Sequence, residues 1–249
     1  MHYQLFIVLL TAHMLADYTL QGAGLVERKH AGDHGALLLH VFTYWIVASV
    51  LSVFWMSWLW FGMIAIQTVL HWVLDYAKIK LVKRWKSFEF ELELADLLLH
   101  VLVIWITINI LNPGMNRELV FEQITAQYPS HLFYVVCIYA AALSFLFRGG
   151  TAMVRKLLGK VKSDTIDAEK DDHGRLIGNL ERLFIFLIII VANDLTAIGF
   201  VITAKSIVRF EEIKDSKKFA EYYLIGTLTS TIIAVLAGKA VVWMVLRVG

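Results

Sequence analysis

Apolar runs of membrane-spanning length dominate this sequence, and each restricts the chain to a helix. A transmembrane helix needs about 20 consecutive, mainly apolar residues, and it satisfies its own backbone hydrogen bonds inside lipid. We place such runs near residues 3–22, 36–56, 58–79, 91–111, 131–149, 177–193, 195–210 and 222–245. The composition agrees, with 59% hydrophobic and 18% charged residues. The sequence therefore predicts an all-α fold, a polytopic membrane helical bundle with about seven or eight transmembrane helices.

One stretch of apolar sequence can be divided in two ways. It extends from Glu181 to Phe210 and is broken only by Asn193-Asp194. A tight turn at that dipeptide would give two short spans. A single long, tilted helix is the alternative.

Lysine and arginine concentrate in alternate connections between the runs. These connections contain Arg28 and Lys29, then Lys78, Lys80, Lys83, Arg84 and Lys86, then the basic residues from Arg148 to Arg175, and then Lys205, Arg209, Lys214, Lys217 and Lys218. Basic residues near the ends of spans mark the cytoplasmic side of a membrane protein. We therefore expect these connections in the cytoplasm, with both termini outside if there are eight spans.

Histidine and aspartate lie four residues apart at three places inside the apolar runs. The pairs are His13/Asp17, His71/Asp75 and Asp96/His100. Four residues is slightly more than one helical turn, so the members of each pair share a helix face. An aspartate near the middle of a spanning helix costs ~2.5–3.5 kcal/mol on insertion scales. Three such pairs indicate that these side chains act together in one site.

The predicted orientation places all three pairs and His40 toward the cytoplasmic ends of the first four runs. At ~1.5 Å rise per residue, the set fits within a layer of roughly 15 Å. The four runs are consecutive and joined by short links, so we expect one bundle with these faces inward. The polar faces also include Gln21, Gln67, Lys78, Glu89 and Glu93. Together they predict a polar cleft open to the cytoplasm.

The residue types in this layer favour a metal site. Imidazole and carboxylate suit one or two divalent transition-metal ions such as Zn²⁺, Mn²⁺ or Fe²⁺. Cys137 is the lone cysteine, which excludes a cysteine-rich site. The candidate metal ligands are His13, Asp17, His71, Asp75, Asp96 and His100.

Two residues beside the candidate ligands have candidate catalytic roles. His40 would act as a ligand, a partner of a ligand or a proton shuttle. Lys78, at the rim of the cleft, would meet an anionic or phosphate-bearing substrate. A proton or ion relay without metal, and polar contacts that only join helices, are the alternatives to a metal site.

The pattern divides the chain into four parts. They are a four-helix membrane module with the His/Asp site at 1–112, an outer loop at 113–130, a fifth helix and cytoplasmic linker at 131–175, and a C-terminal membrane module at 176–249. In the last part, Glu181 and Glu221 are expected to pair with nearby basic residues. The small residues Gly199, Ala204, Gly226 and Gly238 are expected to allow close helix packing.

Several segments carry a family resemblance. The stretches HMLADYTLQ, HWVLDYAKIK and ADLLLH, with GRLIGNLERL, AIGFVITAKSIVRF and EYYLIGT further on, resemble the bacterial membrane family filed as domain of unknown function 3307. The resemblance implies a multi-pass protein of the bacterial cytoplasmic membrane. It implies no activity, because none is established for that family.

The sequence is consistent with three functions. The first is a metal-dependent membrane hydrolase acting on a phosphate ester at the inner leaflet. The second is a metal- or proton-coupled transporter that uses the same residues as a transit site. The third is a non-enzymatic membrane protein whose basic loops recruit a cytoplasmic protein partner. The lipid bilayer is a partner in each case, and nucleic acid is not expected in any.

Overall fold

The computed structural model describes residues 2–111, 130–161 and 172–248. Within these ranges every regular element is helical and there is no β-strand. The helices are α1 (His2–Met14), α2 (Ala23–Ala31), α3 (His34–Leu51), α4 (Trp58–Arg84), α5 (Glu89–Leu111), α6 (Ser130–Ser144), α7 (Gly150–Gly159), α8 (Asp172–Val191), α9 (Leu195–Val208), α10 (Phe210–Asp215) and α11 (Lys217–Val248). Two π-helical turns, Leu15–Leu20 and Phe145–Gly149, follow α1 and α6, and short 3₁₀ turns occur at Val53–Trp55 and Lys86–Phe88. The all-α prediction is confirmed.

Five segments of the described chain are long and apolar enough to cross a membrane. They are Tyr3–Leu20, His34–Leu51, Lys86–Leu111, His131–Gly159 and Lys217–Val248. Helix α4 has 27 residues but is not among them, because Gln67, His71 and Asp75 lower its mean hydropathy. The larger count of seven or eight spans stays a prediction.

Two predicted segments fall outside the described residues. They are the outer loop, apart from its last residue, and the acidic part of the predicted cytoplasmic linker.

The chain divides into two compact units. One comprises Met1–Ser144 with Arg247–Gly249, and the other comprises Phe145–Leu246.

Helix α1 is the centre of the first unit. It packs against α3, α5 and α6. Helix α4 packs against both α3 and α5, so that α1, α3, α4 and α5 form a closed ring. Leu5, Val8, Leu9 and Ala12 of α1 are at most 1% exposed. This burial explains why most side chains of the first helix are apolar.

Local sequence signals set the helix boundaries in this unit. Gly32 adopts a positive φ of 99° at the end of α2, a conformation that glycine reaches without steric cost. Asp33 then accepts hydrogen bonds from the backbone N–H groups of Gly35 and Ala36 at 2.8 and 3.1 Å, which caps the N-terminus of α3. Ser57 does the same for α4 through the Trp60 N–H.

In the second unit, the long apolar stretch is broken at Asn193-Asp194. Asn193 has a φ of 51°, and the Asp194 carboxylate accepts a hydrogen bond from the Thr196 N–H at 2.7 Å. The stretch therefore forms two helices, α8 and α9, and not a single long helix. That each of them spans the membrane stays a prediction. The predicted pairing of Glu181 is also confirmed, since its carboxylate accepts a hydrogen bond from Lys205 at 2.7 Å.

The expected close packing at small residues occurs between α8 and α11. A methyl group at Gly238 would lie 2.7 Å from Cγ2 of Ile189, a side chain with no exposed surface. Ile189 is β-branched and has little rotamer freedom in a helix, so it cannot easily move aside. Gly199 differs, because nothing lies within 4 Å of the position its Cβ would occupy.

We therefore expect Gly238→Ala to destabilise the protein by about 1–3 kcal/mol through overpacking. Melting of the detergent-purified protein would measure the effect, and Ile189→Ala in the same chain should recover part of the loss. Gly199→Ala is the matched control and should not lower the melting temperature, because alanine is favoured over glycine in a helix. Equal melting temperatures for the Gly238→Ala and Gly199→Ala variants would contradict the proposed contact.

Candidate functional site

Seven histidine and aspartate side chains meet inside the ring of α1, α3, α4 and α5. We call them the His/Asp cluster, and its members are His13, Asp17, His40, His71, Asp75, Asp96 and His100. The structure thus brings together all six predicted metal ligands and His40. The side chains are at most 8% exposed except for that of Asp17, which is 14% exposed. The cluster is therefore nearly closed, and Asp17 is its most accessible member.

Asp17 lies on the π-helical turn that follows α1. Its Oδ1 atom is 3.4 Å from His13 Nδ1, 3.4 Å from His40 Nε2 and 3.7 Å from His71 Nε2. Thr19 in the same turn donates a hydrogen bond to Ser144 of α6 at 2.8 Å. Turns of this kind are rare and occur often at functional sites. The sequence did not indicate this turn, because residues 15–20 fit an ordinary apolar helix.

Four atoms of the cluster form a compact group of potential ligands. They are Asp17 Oδ1, His40 Nε2, His71 Nε2 and Asp75 Oδ2. His40 Nε2 lies 3.0 Å from His71 Nε2, 3.4 Å from Asp17 Oδ1 and 3.3 Å from Asp75 Oδ2. The edge of a tetrahedron with bonds of about 2.1 Å to zinc is about 3.4 Å. These spacings are therefore those of a first coordination sphere around one ion.

The imidazole rings retain nitrogen atoms without hydrogen-bond partners. Nδ1 of His13, His40 and His71 and Nε2 of His100 are all buried and unpartnered among the described residues. His100 Nδ1 lies 2.9 Å from the Asp96 backbone carbonyl, and since a carbonyl only accepts, Nδ1 carries the proton. In the neutral ring, Nε2 then has the free lone pair. This arrangement is common for histidines that bind metal.

Lys29 of α2 is a member of the site that sequence reasoning missed. Its Nζ donates hydrogen bonds to Asp75 Oδ2 at 2.6 Å and to Gln21 Oε1 at 2.8 Å, and the residue is 9% exposed. In the sequence it resembles any other basic residue of a cytoplasmic connection. A single lysine in a short polar helix gives no signal that it turns inward.

Lys78 forms ion pairs with two carboxylates of α5. Its Nζ lies 2.9 Å from Glu93 Oε2 and 2.7 Å from Asp96 Oδ2. In this conformation the ammonium group is already matched by negative charge. The predicted role of Lys78 in meeting an anionic substrate stays a prediction.

The formal charges in and around the cluster do not balance. Asp17, Asp75, Glu93 and Asp96 supply four carboxylates, whereas Lys29 and Lys78 supply two ammonium groups. With neutral histidines the site carries a net charge of −2, which one divalent cation would neutralise. Uncompensated charge is costly in a buried site, so the imbalance favours a bound cation.

A network of neutral polar groups lies beside His71. The Tyr44 ring stacks on the His71 ring with 4.4 Å between centroids. Its hydroxyl donates to Gln67 Oε1 at 3.1 Å, and Gln67 Nε2 donates to Thr107 Oγ1 at 2.6 Å. These contacts fix the ring orientation of His71.

Histidines outside the cluster are exposed wherever the structure describes their side chains. His30, His34 and His131 are all exposed. The side chains of His2 and His173 lie outside the described part.

Removing Lys29 should leave Asp75 as a buried charge without its ammonium partner. We expect Lys29→Met to destabilise the protein by about 3–5 kcal/mol when metal is removed by a chelator, so that ligand binding does not contribute. Lys29→Met with Asp75→Asn should recover much of the loss. Melting curves of the purified protein would measure both effects.

The matched control is the neighbouring residue Arg28, whose exposed ion pair with Asp33 should contribute no more than about 1 kcal/mol. If Arg28→Met and Lys29→Met lower the melting temperature equally, the Lys29–Asp75 pair does not have the importance assigned to it.

Comparison with known proteins gives a family and no activity. No curated protein and no solved structure shows significant similarity to the chain. Residues 5–127 match the family model described as Protein of unknown function (DUF3307). The match contains the whole His/Asp cluster, so the predicted resemblance to this family is confirmed for residues 5–127. The C-terminal stretches that resemble the family lie outside the match.

Proposed function

We propose that this protein is a membrane protein that binds a divalent transition-metal ion through Asp17, His40, His71 and Asp75, and uses it to hydrolyse a phosphate ester. The observation that carries the metal site is the spacing of 3.0–3.4 Å between His40 Nε2 and the other three ligand atoms. His71 Nε2 also lies 3.7 Å from Asp17 Oδ1. Two imidazole nitrogens and two carboxylate oxygens suit Zn²⁺, Mn²⁺ or Fe²⁺.

The His40–His71 contact also supports a bound cation. Two Nε2 atoms 3.0 Å apart repel each other through their lone pairs unless a proton or a metal ion lies between them. A metal ion would satisfy both atoms and the two carboxylates together. This proposal makes His40 a ligand, which is one of the three roles predicted for it.

The ion and Lys29 together suit a phosphate ester. A divalent ion polarises a phosphoryl oxygen and lowers the pKa of bound water, so that hydroxide forms near neutral pH. That hydroxide would attack phosphorus, the ester P–O bond would break, and the products would be phosphate and an alcohol. Asp17 is the most exposed ligand, so water and substrate would enter there. Lys29 would then be the nearest ammonium group to the ion.

The surroundings of the cluster favour hydrolysis over transport. Beyond Gln67 and Thr107, the ring interior is filled by Met63, Ile104 and Ile108, which are at most 3% exposed. A transit site needs a polar path on both sides, whereas this site approaches solvent at Asp17. The distribution of basic residues supports a position for this opening on the cytoplasmic side.

Metal content tests the first part of this proposal. Detergent-purified wild-type protein should contain at least one equivalent of transition metal per chain by elemental analysis. His40→Ala should reduce metal affinity by roughly 10–100-fold or more, because even partners of ligands contribute that much. His34→Ala is the matched control, since His34 begins the same helix and is exposed. A wild-type protein without metal after purification and reloading would end the proposal.

Activity tests the second part. The metal-loaded protein should release phosphate from a soluble aryl phosphate or from phosphatidate in mixed micelles, and Asp75→Asn should abolish the release together with the metal. Proteoliposomes loaded with a metal-sensitive dye should show no uptake driven by a metal or pH gradient. Uptake without phosphate release would instead identify the site as a carrier site.

A further inference from the structure

We infer that Arg182, Thr227 and Ser230 form a binding site for a phosphate group, supplied either by a lipid headgroup of the inner leaflet or by free phosphate. All three residues belong to the second unit, Phe145–Leu246, and none is a member of the His/Asp cluster. The inference therefore does not depend on the proposed function.

The Arg182 side chain is buried and held in one orientation. It is only 3% exposed. Its Nε donates a hydrogen bond to the Leu146 carbonyl at 3.1 Å, and its Nη1 donates to Ser230 Oγ at 3.0 Å. Its Nη2 donates to Thr151 Oγ1 and to Asn179 Oδ1. The guanidinium group is thus fixed by contacts from three helices and the π-helical turn at Phe145–Gly149.

The positive charge of Arg182 is not balanced by an ion pair among the described residues. All four of its acceptors are neutral carbonyl, amide or hydroxyl oxygens. The carboxylate of the adjacent residue, Glu181, accepts instead from Lys205 at 2.7 Å. Arginine stays charged in proteins, and a buried charge without a partner is costly. The imbalance is opposite in sign to that of the His/Asp cluster, so it favours a bound anion.

Three hydrogen-bond donors around this charge have no acceptor in the part of the chain that the structure describes. A guanidinium group has five N–H groups, and the four bonds of Arg182 leave one on Nη1. The Ser230 hydroxyl accepts from Arg182, so its own hydrogen is available. Thr227 Oγ1 is buried without a partner, and its three-residue spacing from Ser230 places both on one face of α11. Together they offer three donors to one anion.

The guanidinium group comes closest to the surface at Gly178. A methyl group at this position would lie 3.7 Å from Arg182 Nη1, and Gly178 itself is partly exposed. Nη1 is the atom that carries the remaining N–H group. An anionic oxygen can therefore approach it past the glycine backbone.

The chemistry and the depth of the site favour phosphate. Arginine and hydroxyl groups suit phosphate oxygens. Helix α11 has 32 residues, or about 48 Å, whereas the hydrocarbon layer is about 30 Å thick. Its first residues, Lys217 and Lys218, belong to a connection that the distribution of basic residues predicts to be cytoplasmic. Thr227 lies ten residues after Lys217, roughly 15 Å along the helix, which is close to the headgroup phosphates of the inner leaflet.

Isothermal titration calorimetry of the full-length protein in detergent tests this inference. The ligands would be dioctanoyl-phosphatidylglycerol, inorganic phosphate, and dioctanoylglycerol, which lacks the phosphate. We expect saturable binding of a phosphate-bearing ligand and no binding of dioctanoylglycerol. Thr227→Val should raise the Kd by roughly 10–100-fold, because one hydrogen bond to a charged group is lost. The matched control is Thr229→Val, a partly exposed position on another face of α11, which should bind as wild type does.

The melting temperature of the ligand-free protein shows that the test variant is folded. Thr227→Val should not lower it, because the substitution removes a buried hydroxyl that has no partner. A lower melting temperature would show that this hydroxyl already has a partner, which would contradict the three-donor site.

The two phosphate-bearing ligands distinguish the sources of the anion. Binding of phosphatidylglycerol alone would identify a lipid headgroup, and binding of inorganic phosphate would identify free phosphate; both support the site if Thr227→Val weakens them. The inference would be overturned if wild-type protein bound neither ligand or bound dioctanoylglycerol equally well. It would also be overturned if Thr227→Val kept the wild-type affinity, or if Thr229→Val lost as much.

Discussion

Excess buried negative charge is the constraint on which the N-terminal unit depends. Apolar helices hold four carboxylates in and around the cluster, and Lys29 and Lys78 form ion pairs with them. In a medium of low polarity, such an imbalance is tolerated when a further cation or bound protons neutralise it. A divalent ion held by Asp17, His40, His71 and Asp75 would balance the charge and would also give a partner to Asp17 Oδ1, a buried atom without a hydrogen bond.

The architecture explains how this imbalance is held in place. Each helix of the ring, or the turn that follows it, contributes histidine or aspartate side chains to the cluster. Helix α1 is packed on several sides, so the cluster cannot spread without opening the core. The π-helical turn at Leu15–Leu20 lies where the chain leaves this core. It carries Asp17, the most exposed member of the His/Asp cluster, so the cluster is most accessible at this turn.

The sequence predicted which residues form the cluster because helical spacing and the distribution of charge can be determined from the sequence alone. The four-residue spacing placed each pair on one face, and the basic connections placed the pairs and His40 at one depth. It could not predict Lys29, since the sequence does not distinguish an inward lysine from a solvated one in a polar connection. Nor could it predict that the buried Arg182 donates to neutral acceptors such as Leu146 O and Ser230 Oγ. Those contacts depend on tertiary packing that spacing does not encode.

X-ray absorption spectroscopy at the metal edge of the purified, metal-replete protein tests the central claim most directly. The account predicts a first shell of nitrogen and oxygen atoms at about 2.0–2.2 Å, with the outer-shell scattering of several imidazole rings. Sulfur scattering near 2.3 Å would be inconsistent with the cluster, which contains no cysteine. A metal without imidazole scattering, or no metal at all, would contradict the claim that these buried histidines and aspartates form a metal centre.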